Sequence, residues 1–369
     1  EVQTAAFYNC TSLAQAELPD SVTTLWESAF KNCTALESFH YPAALTEVKS
    51  LYSNGSYEII KGCTLITSVE IPQGLTRLPD HMFQGCTNIE QIVFPDTMLH
   101  TGAFVFRGCT NLMDVQLPNT MTAIGEGAFY GCTALTQIDL PDSLEVVEDS
   151  AFYGCTVLTK IDLPDTLEVI ENSAFAGCTG LTEIVFPENL KSVLHSAFKN
   201  CTNLARADLP DSVETLGHSV FENCASLESF RYPASLTGID NPNSSHVITP
   251  AAILKGCIKV TTIVIPEGIM SIPDDVFNGC PEIETVLLPS TLEHIGNRTF
   301  KQCTGIQELA FPCGLKEVFH SAFEGCTGLI RADLPDSVEI LGHNVFKDCV
   351  NLESFHYPLS LVEIDNPNS

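Results

Sequence analysis

The sequence predicts an α/β-type repeat solenoid, mostly β and irregular coil, with about fifteen coils of 23 residues each. Three observations support this. A cysteine returns along nearly the whole chain, and twelve of the fourteen intervals are 23 residues, the others being 30 and 33. A strand-and-turn pattern recurs at the same spacing. Glycine or asparagine usually precedes the cysteine. The repeat cysteines are Cys10, Cys33, Cys63, Cys86, Cys109, Cys132, Cys155, Cys178, Cys201, Cys224, Cys257, Cys280, Cys303, Cys326 and Cys349.

The repeat that begins at Cys155 shows how one coil is expected to form. Ile161 and Leu163 flank Asp162, which is the period-two pattern of a strand with one buried face. Pro164 should end that strand because it has no N–H to continue a ladder, and the polar residues after it favour a turn. The remaining apolar positions should point inward and cover the other side of the coil; they are Leu167, Ile170, Ala174 and Phe175.

Two further columns support a stacked coil. The residue before the cysteine is glycine in nine repeats and asparagine, glutamine or aspartate in the others, as in Gly154 and Asn200. That substitution pattern indicates a backbone position at positive φ. Phenylalanine recurs three residues before the cysteine and is expected to form a continuous aromatic stack inside the coil. Examples are Phe7, Phe30, Phe129, Phe152, Phe198 and Phe323.

The repeat resembles the BspA-like, or Treponema-type, leucine-rich repeats. The resemblance rests on the 23-residue period, the Cys-x-x-Leu start, the Leu-Pro pair and the Ala-Phe pair, and it covers all fifteen turns. It implies a right-handed superhelix with a parallel sheet on one face. It also implies a secreted or surface protein that binds host or neighbouring-cell ligands, and it provides no catalytic residues to transfer.

The long intervals group the coils into modules. We expect one continuous solenoid over 1–369, which is a piece of a longer chain. It comprises the end of a preceding module at 1–48, an eight-coil module at 49–239 and a five-coil module at 240–369. Insertions near Lys49 to Ile60 and Asp240 to Ile253 open the last two. Segment 314–361 repeats 189–236 almost residue for residue, which indicates duplication of whole modules.

The net charge of −29 restricts the possible partners. It comes from 46 acidic and 17 basic residues and argues against binding nucleic acid or an anionic membrane. No apolar run is long enough to cross a bilayer, so no direct membrane insertion is expected of this segment. The expected partners are other proteins or glycans, with copies of the same chain end to end as a further possibility. We expect no cofactor.

The chain has sixteen cysteines, but the spacing disfavours disulfides. Equivalent residues of adjacent coils lie about 4.8 Å apart, whereas bridged cysteines need Cβ atoms about 3.8 Å apart. We therefore expect buried, reduced thiols that pack as small apolar residues. No Cys-x-x-Cys is present to indicate a zinc site. Cys313 follows Pro312 in a predicted turn, where it is an inert thiol or an intermolecular linker.

The middle residue of each predicted strand should form an exposed column on the sheet. Asp139 and Asp162 would lie side by side there, with Lys160 as a partner or Ca²⁺ as the alternative. Val264, Leu287 and Ala310 would form an apolar stripe, which marks an interaction site or packs under a neighbouring loop. The candidate binding residues are Asp139, Asp162, Asp208, Val264, Leu287 and Ala310.

Histidines also stack in the predicted coil, His195 on His218 and His320 on His343. Paired imidazoles could bind Zn²⁺ or sense pH, but each pair offers only two ligands, so we predict no metal site. The sequence contains no arrangement of Ser, His and Asp that could act as nucleophile, base and orienting group. Glycan hydrolysis by paired acids is also disfavoured. We predict no catalytic residues.

Six Asn-x-Ser/Thr sequons are candidate glycosylation sites. They are Asn54, Asn243, Asn9, Asn32, Asn200 and Asn297. Asn54 and Asn243 lie in the insertions and are the better candidates, whereas Asn9, Asn32 and Asn200 occupy the positive-φ position and can be by-products of the repeat.

Two functions remain open. The first is a non-enzymatic, adhesin-like solenoid, extracellular or on the cell surface, that contacts proteins or glycans. The alternative is a structural subunit of an extracellular filament, sheath or coat made of tandem modules.

Overall fold

The computed structural model describes residues 1–45, 47–49, 57–236, 238–240 and 253–364. The chain divides into two compact units, Glu1–Pro187 and Glu188–Ser369. Within these ranges the chain is a parallel β-solenoid of about fourteen turns, and the described residues contain no helix. The leucine-rich-repeat solenoid predicted from the sequence is confirmed.

The first ladder of strands is the one that the period-two pattern predicts. In its three-residue strands other than β22, the middle residue is buried and its neighbours are more exposed, as with Ile138 in β8 and Ile161 in β10. The pairing is parallel with a register of one repeat. The strands are β1 (Gln15–Ala16), β3 (Ser38–Phe39), β5 (Gln91–Val93), β6 (Asp114–Gln116), β8 (Gln137–Asp139), β10 (Lys160–Asp162), β15 (Thr262–Val264), β17 (Thr285–Leu287), β20 (Arg331–Asp333) and β22 (Ser354–His356).

A second parallel ladder runs on the other side of each coil, where the sequence predicted only inward apolar positions. Ile170, for example, is fully buried and pairs in register with Val147 of the preceding coil. The strands are β2 (Thr24–Trp26), β4 (Glu47–Lys49), β7 (Ala123–Ile124), β9 (Val146–Val147), β11 (Val169–Ile170), β12 (Ser192–Val193), β13 (Thr215–Gly217), β14 (Gly238–Asp240), β16 (Ser271–Ile272), β18 (His294–Ile295), β19 (Glu317–Val318), β21 (Ile340–Leu341) and β23 (Glu363–Ile364).

The predicted phenylalanine stack is present in both units. In the first, Phe152 stacks on Phe129 at 5.4 Å and on Phe175 at 5.2 Å between ring centroids. In the second, Phe323 stacks on Phe300 at 5.4 Å and on Phe346 at 5.5 Å. The rings are nearly parallel because identical residues repeat at the spacing of the strands.

The repeat cysteines lie inside the coil as free thiols. Thirteen are buried, Cys349 is intermediate, and Cys10 is exposed. Each thiol for which a bond is described donates to a carbonyl of the preceding coil. Cys155 Sγ, for instance, lies 3.2 Å from the carbonyl oxygen of Phe129, and Cys326 Sγ lies 3.1 Å from that of Phe300. The thiol is therefore a second donor to a carbonyl that already accepts a main-chain N–H, and it also packs as a small side chain.

All fifteen residues that precede a repeat cysteine have positive φ, as predicted. A second positive-φ position, five residues before the cysteine, was not predicted. Its side chains are too varied to reveal it: Ala5, Ser28, Glu58, His81, Phe104, Gly127, Ser150, Ser173, Ser196, Ser219, Asp275, Arg298, Ser321 and Asn344. Its N–H bonds a carbonyl of the next coil, as Ser150 does to Asn172 at 2.8 Å, so stacking holds the conformation.

The division into modules stays a prediction. Most of each insertion lies outside the described residues, and so do Asn54 and Asn243. A single continuous solenoid over 1–369 stays a prediction. The described residues contain no helix that is long and apolar enough to span a membrane.

Candidate binding surface

In the first ladder, the exposed residue that follows the buried one in each coil forms the column that faces solvent. All six candidate binding residues are exposed. In this ladder Asp139 pairs with Asp162, and Val264 pairs with Leu287, each in direct register. The strand pairing therefore places each of these pairs side by side, as the sequence predicted.

The two carboxylates at Asp139 and Asp162 have a local cation. Lys160 Nζ donates to Asp162 Oδ2 at 2.7 Å, and this hydrogen bond, followed by the field of Asp162, raises the pKa of Lys160. Among the described residues, no group of three or more His, Cys, Asp or Glu is placed to hold a metal ion. The arrangement favours the ion pair over Ca²⁺, and because it is exposed it adds little stability.

The apolar stripe is the larger feature of this column. Val264 and Leu287 are 50% and 54% exposed, and Ala310 is exposed one coil further on. Thr262 and Thr285 pair in register beside them. The stripe thus combines adjacent apolar side chains with flanking hydroxyl groups, on a face where the other coils of the second unit present charge, at Asp208, Asp333 and His356.

Asp208 has a different neighbourhood from the first two aspartates. The next coil of its column carries Arg231, but Arg231 Nη2 donates to Asp211 Oδ2 in the turn, at 2.7 Å.

The other module-ending coils make the same contact with a turn aspartate, His40 with Asp20 at 2.9 Å and His356 with Asp336 at 2.9 Å. This contact with a turn aspartate occurs in all three module-ending coils, from arginine in one and histidine in two, and the sequence pattern Ser-Phe-His/Arg-Tyr-Pro signals it. The histidine hydrogen bond holds the pKa of Asp20 and Asp336 below the usual range.

The predicted histidine pairs do stack, but each is tied into the coil. The ring centroids lie 4.2 Å apart for His195 and His218, and 5.3 Å apart for His320 and His343. Nδ1 of the first histidine accepts the backbone N–H of the second, at 3.1 Å and 2.9 Å. The first ring of each pair therefore accepts a main-chain N–H, and this structural role does not require a metal.

The four described sequons differ in geometry. Asn9, Asn32 and Asn200 have positive φ and join an amide ladder in which Asn32 donates to Asn9 at 3.1 Å. Asn297 is more tightly held: its amide nitrogen donates to Asp274 Oδ2 at 2.9 Å, and its oxygen accepts the N–H of His320 at 3.1 Å. Glycosylation at these residues stays a prediction. Asn297 is the least favourable of the four, because both ends of its side-chain amide are already hydrogen-bonded.

The sequence analysis missed a column two residues before the repeat cysteines, which is charged in nine of the fifteen repeats. Glu324 lies between Lys301 and Lys347, with N–O distances of 2.9 and 3.3 Å. Burial alone would raise its pKa, but hydrogen bonds from Ser321 and both lysines lower it to about 2. Lys31 and Lys61 of this column both bond Glu58, which lies five residues before Cys63 and outside the column. The alternation of Lys, Glu and Lys at 23-residue spacing could have revealed this column, which we call the outer column.

The parallel solenoid, its 23-residue repeat and its exposed strand face are those of a leucine-rich-repeat scaffold. The family model described as "BspA type Leucine rich repeat region (6 copies)" matches residues 1–135, 53–158, 122–243 and 248–367. The chain therefore belongs to the BspA-type leucine-rich repeat family. Proteins of this family are generally non-enzymatic binding scaffolds.

Solved structures of bacterial repeat proteins are similar to this chain. A leucine-rich repeat protein from Bacteroides ovatus is 26% identical, with 96% of this chain and 82% of that chain covered and a TM-score of 0.67. A leucine-rich cell surface protein from Faecalibacterium prausnitzii is 23% identical, covering 77% and 83%, with a TM-score of 0.45. The T. pallidum leucine-rich repeat protein is 26% identical, covering 59% and 78%, with a TM-score of 0.37. A comparison with curated proteins finds no match.

Proposed function

We propose that the chain is a non-enzymatic, adhesin-like binding protein that acts outside the cell or on its surface, and that its contact surface is the exposed face of the first ladder. The observation that carries the proposal is the stripe of Val264, Leu287 and Ala310. Scattered exposed apolar residues are ordinary, whereas adjacent ones on a rigid sheet favour contact with a partner. The name of the F. prausnitzii relative, a cell surface protein, supports the location.

A binding assay with a matched control tests the surface. Fluorescently labelled chain is applied to cultured epithelial cells, and bound label is measured with wild type, Leu287→Asp and Val93→Asp. Val93 is 51% exposed at the end of β5 but has no apolar neighbour in its column, since Glu70 and Gln116 flank it. We expect Leu287→Asp to reduce binding at least about tenfold, which is the loss of roughly 1.4 kcal/mol. Equal effects of the two variants would rule out the stripe as the contact.

A structural role in a filament or coat is the second candidate, and the duplication of whole modules favours it. Segment 314–361 repeats 189–236 almost residue for residue. Repeated copies of one module add length to a solenoid, which is what a filament or coat subunit requires.

Sedimentation velocity over a range of concentrations separates the two candidates. End-to-end chains that persist with Leu287→Asp would favour the structural role. A monomer at every concentration would exclude it and leave the adhesin-like role.

A further inference from the structure

One cavity of the second unit gathers side chains that depart from the repeat. It has a volume of about 370 Å³ and lies at the outer column. Its lining consists of Ser219, Glu222, Lys255, Asn278, Gly279, Pro281 and Gln302. All of these residues belong to the unit Glu188–Ser369. We call it the Gln302 cavity.

The cavity exists because the outer column is interrupted there. Most turns carry a long side chain at this position, and in this unit Lys199 pairs with Glu222 at 2.8 Å and Lys301 with Glu324 at 2.9 Å. Asn278 is shorter and is turned inward, where its amide nitrogen donates to Asp275 Oδ1 at 2.8 Å. Asn278 is only 4% exposed, yet it lines the cavity. The space that a lysine or glutamate fills in other turns is therefore open.

Two more residues of the lining break the repeat. Pro281 stands where most turns carry threonine, and it gives the cavity an apolar ring face. Gln302 is the one glutamine among the fifteen residues that precede a repeat cysteine, and its φ is +62°. Glycine meets no steric cost at that angle and asparagine tolerates it, whereas glutamine is strained there. No other coil carries proline directly after the repeat cysteine or glutamine directly before it.

The polar groups of the cavity offer both donors and acceptors. In the described part of the chain, Lys255 Nζ makes no ion pair within 4 Å and the Gln302 side-chain amide has no hydrogen-bond partner. Burial would raise the pKa of Glu222, but hydrogen bonds from Lys199 and Ser219 outweigh it and keep the group ionised. Beside Gly279 the space is open, because a Cβ built there would meet nothing within 4 Å.

This lining fits a neutral ligand better than an ion. An anion would face Glu222 and the field of a chain with net charge −29, and a cation would face Lys199 and Lys255. A sugar hydroxyl both donates and accepts, which matches the amides, the ammonium and the carboxylate together, while Pro281 can contact the apolar face of a sugar ring. The volume falls in the range of about 300–1,000 Å³ typical of small-molecule sites.

We propose that the Gln302 cavity binds a neutral saccharide of one or two rings. This site is separate from the stripe at Leu287 and does not depend on it. Gln302 and Lys255 donate to the hydroxyl groups, Glu222 accepts from them, and Pro281 packs against the ring.

Saturation-transfer NMR with the whole chain tests the proposal. The probes are methyl glucoside, methyl galactoside, N-acetylglucosamine, maltose, lactose and cellobiose, with glycine and galacturonate as the zwitterionic and anionic comparisons. We expect saturable binding of at least one neutral sugar at millimolar concentration. Failure of all six, or tighter binding of glycine or galacturonate, would overturn the ligand class.

Substitution of Gln302 locates the site. Gln302→Gly restores the residue found at nine equivalent positions and relieves the strained φ, so Tm should be unchanged or higher while sugar affinity falls at least about tenfold. Asp348→Gly makes the same kind of change two coils further on, at φ +60°, and should leave affinity unchanged. Lys255→Met should also weaken binding. If Gln302→Gly binds the sugar as tightly as wild type, the cavity is not the site.

Discussion

At the scale of single residues, the repeat cysteine serves as both a packing unit and a hydrogen-bond donor. Its side chain is small enough for the interior of the coil, and its S–H reaches a carbonyl of the coil before it, as Cys109 does to Phe83 at 3.2 Å. A serine in this place would bring a more strongly hydrated hydroxyl into an apolar interior, and an alanine would leave the carbonyl without this donor. The chemistry of the column thus explains why one residue type recurs.

Burial makes these thiols unreactive in the folded chain. Desolvation raises the pKa of Cys63 and Cys155 to about 12 in each case, so the reactive thiolate is scarce at neutral pH. We expect a thiol reagent to titrate the exposed Cys10 and Cys313 in the native protein, and Cys349 more slowly. All sixteen should react after denaturation without reductant. A count that rises only after reduction would show that the ladder is bridged.

At the scale of one element, the strands are too short to be stable alone. Most are two or three residues long, and each gains its hydrogen bonds from equivalent strands of adjacent coils. Adjacent coils approach so closely that some positions have no room for a side chain. A Cβ at Gly217, in β13, would lie 2.1 Å from the backbone nitrogen of His195 and 2.4 Å from the carbonyl carbon of Leu194.

Gly217→Ala should therefore destabilise the protein by about 1–3 kcal/mol, because main-chain atoms of the neighbouring coil must move. Chemical denaturation measured by far-UV circular dichroism gives the change in the free energy of unfolding. Thr215→Ala, in the same strand but half-buried, should cost less than about 0.5 kcal/mol. Comparable losses in the two variants would show that the coil spacing is not the cause.

At the scale of the whole molecule, stability is expected to be local, because each coil contacts mainly its two neighbours. Phe152 is fully buried and stacks on the rings of both adjacent coils. Phe152→Ala should cost about 3–5 kcal/mol by leaving a cavity in the stack. Hydrogen exchange should accelerate most in the coils around residue 152 and least in coils far from it.

Phe7→Ala is the control for this prediction, since Phe7 stacks on one neighbour only and is part exposed. Its cost should be smaller and its effect confined to the first coils. A uniform rise in exchange along the chain after Phe152→Ala would mean that the solenoid unfolds as one cooperative unit.

The sequence alone determined the period, the inward faces of the first ladder, the phenylalanine stack and the positive-φ column at the cysteine. These follow from local constraints that every repeat must meet, so they appear at a fixed spacing in the chain, and the exposed column of Asp139, Asp162 and Leu287 follows from the same alternation. The tertiary structure decided the rest. The second ladder and the positive φ of residues such as Phe104 arise from hydrogen bonds between coils, which varied side chains do not reveal. The Gln302 cavity exists because Asn278 turns toward Asp275, and only stacking brings the three departures from the repeat together around one space.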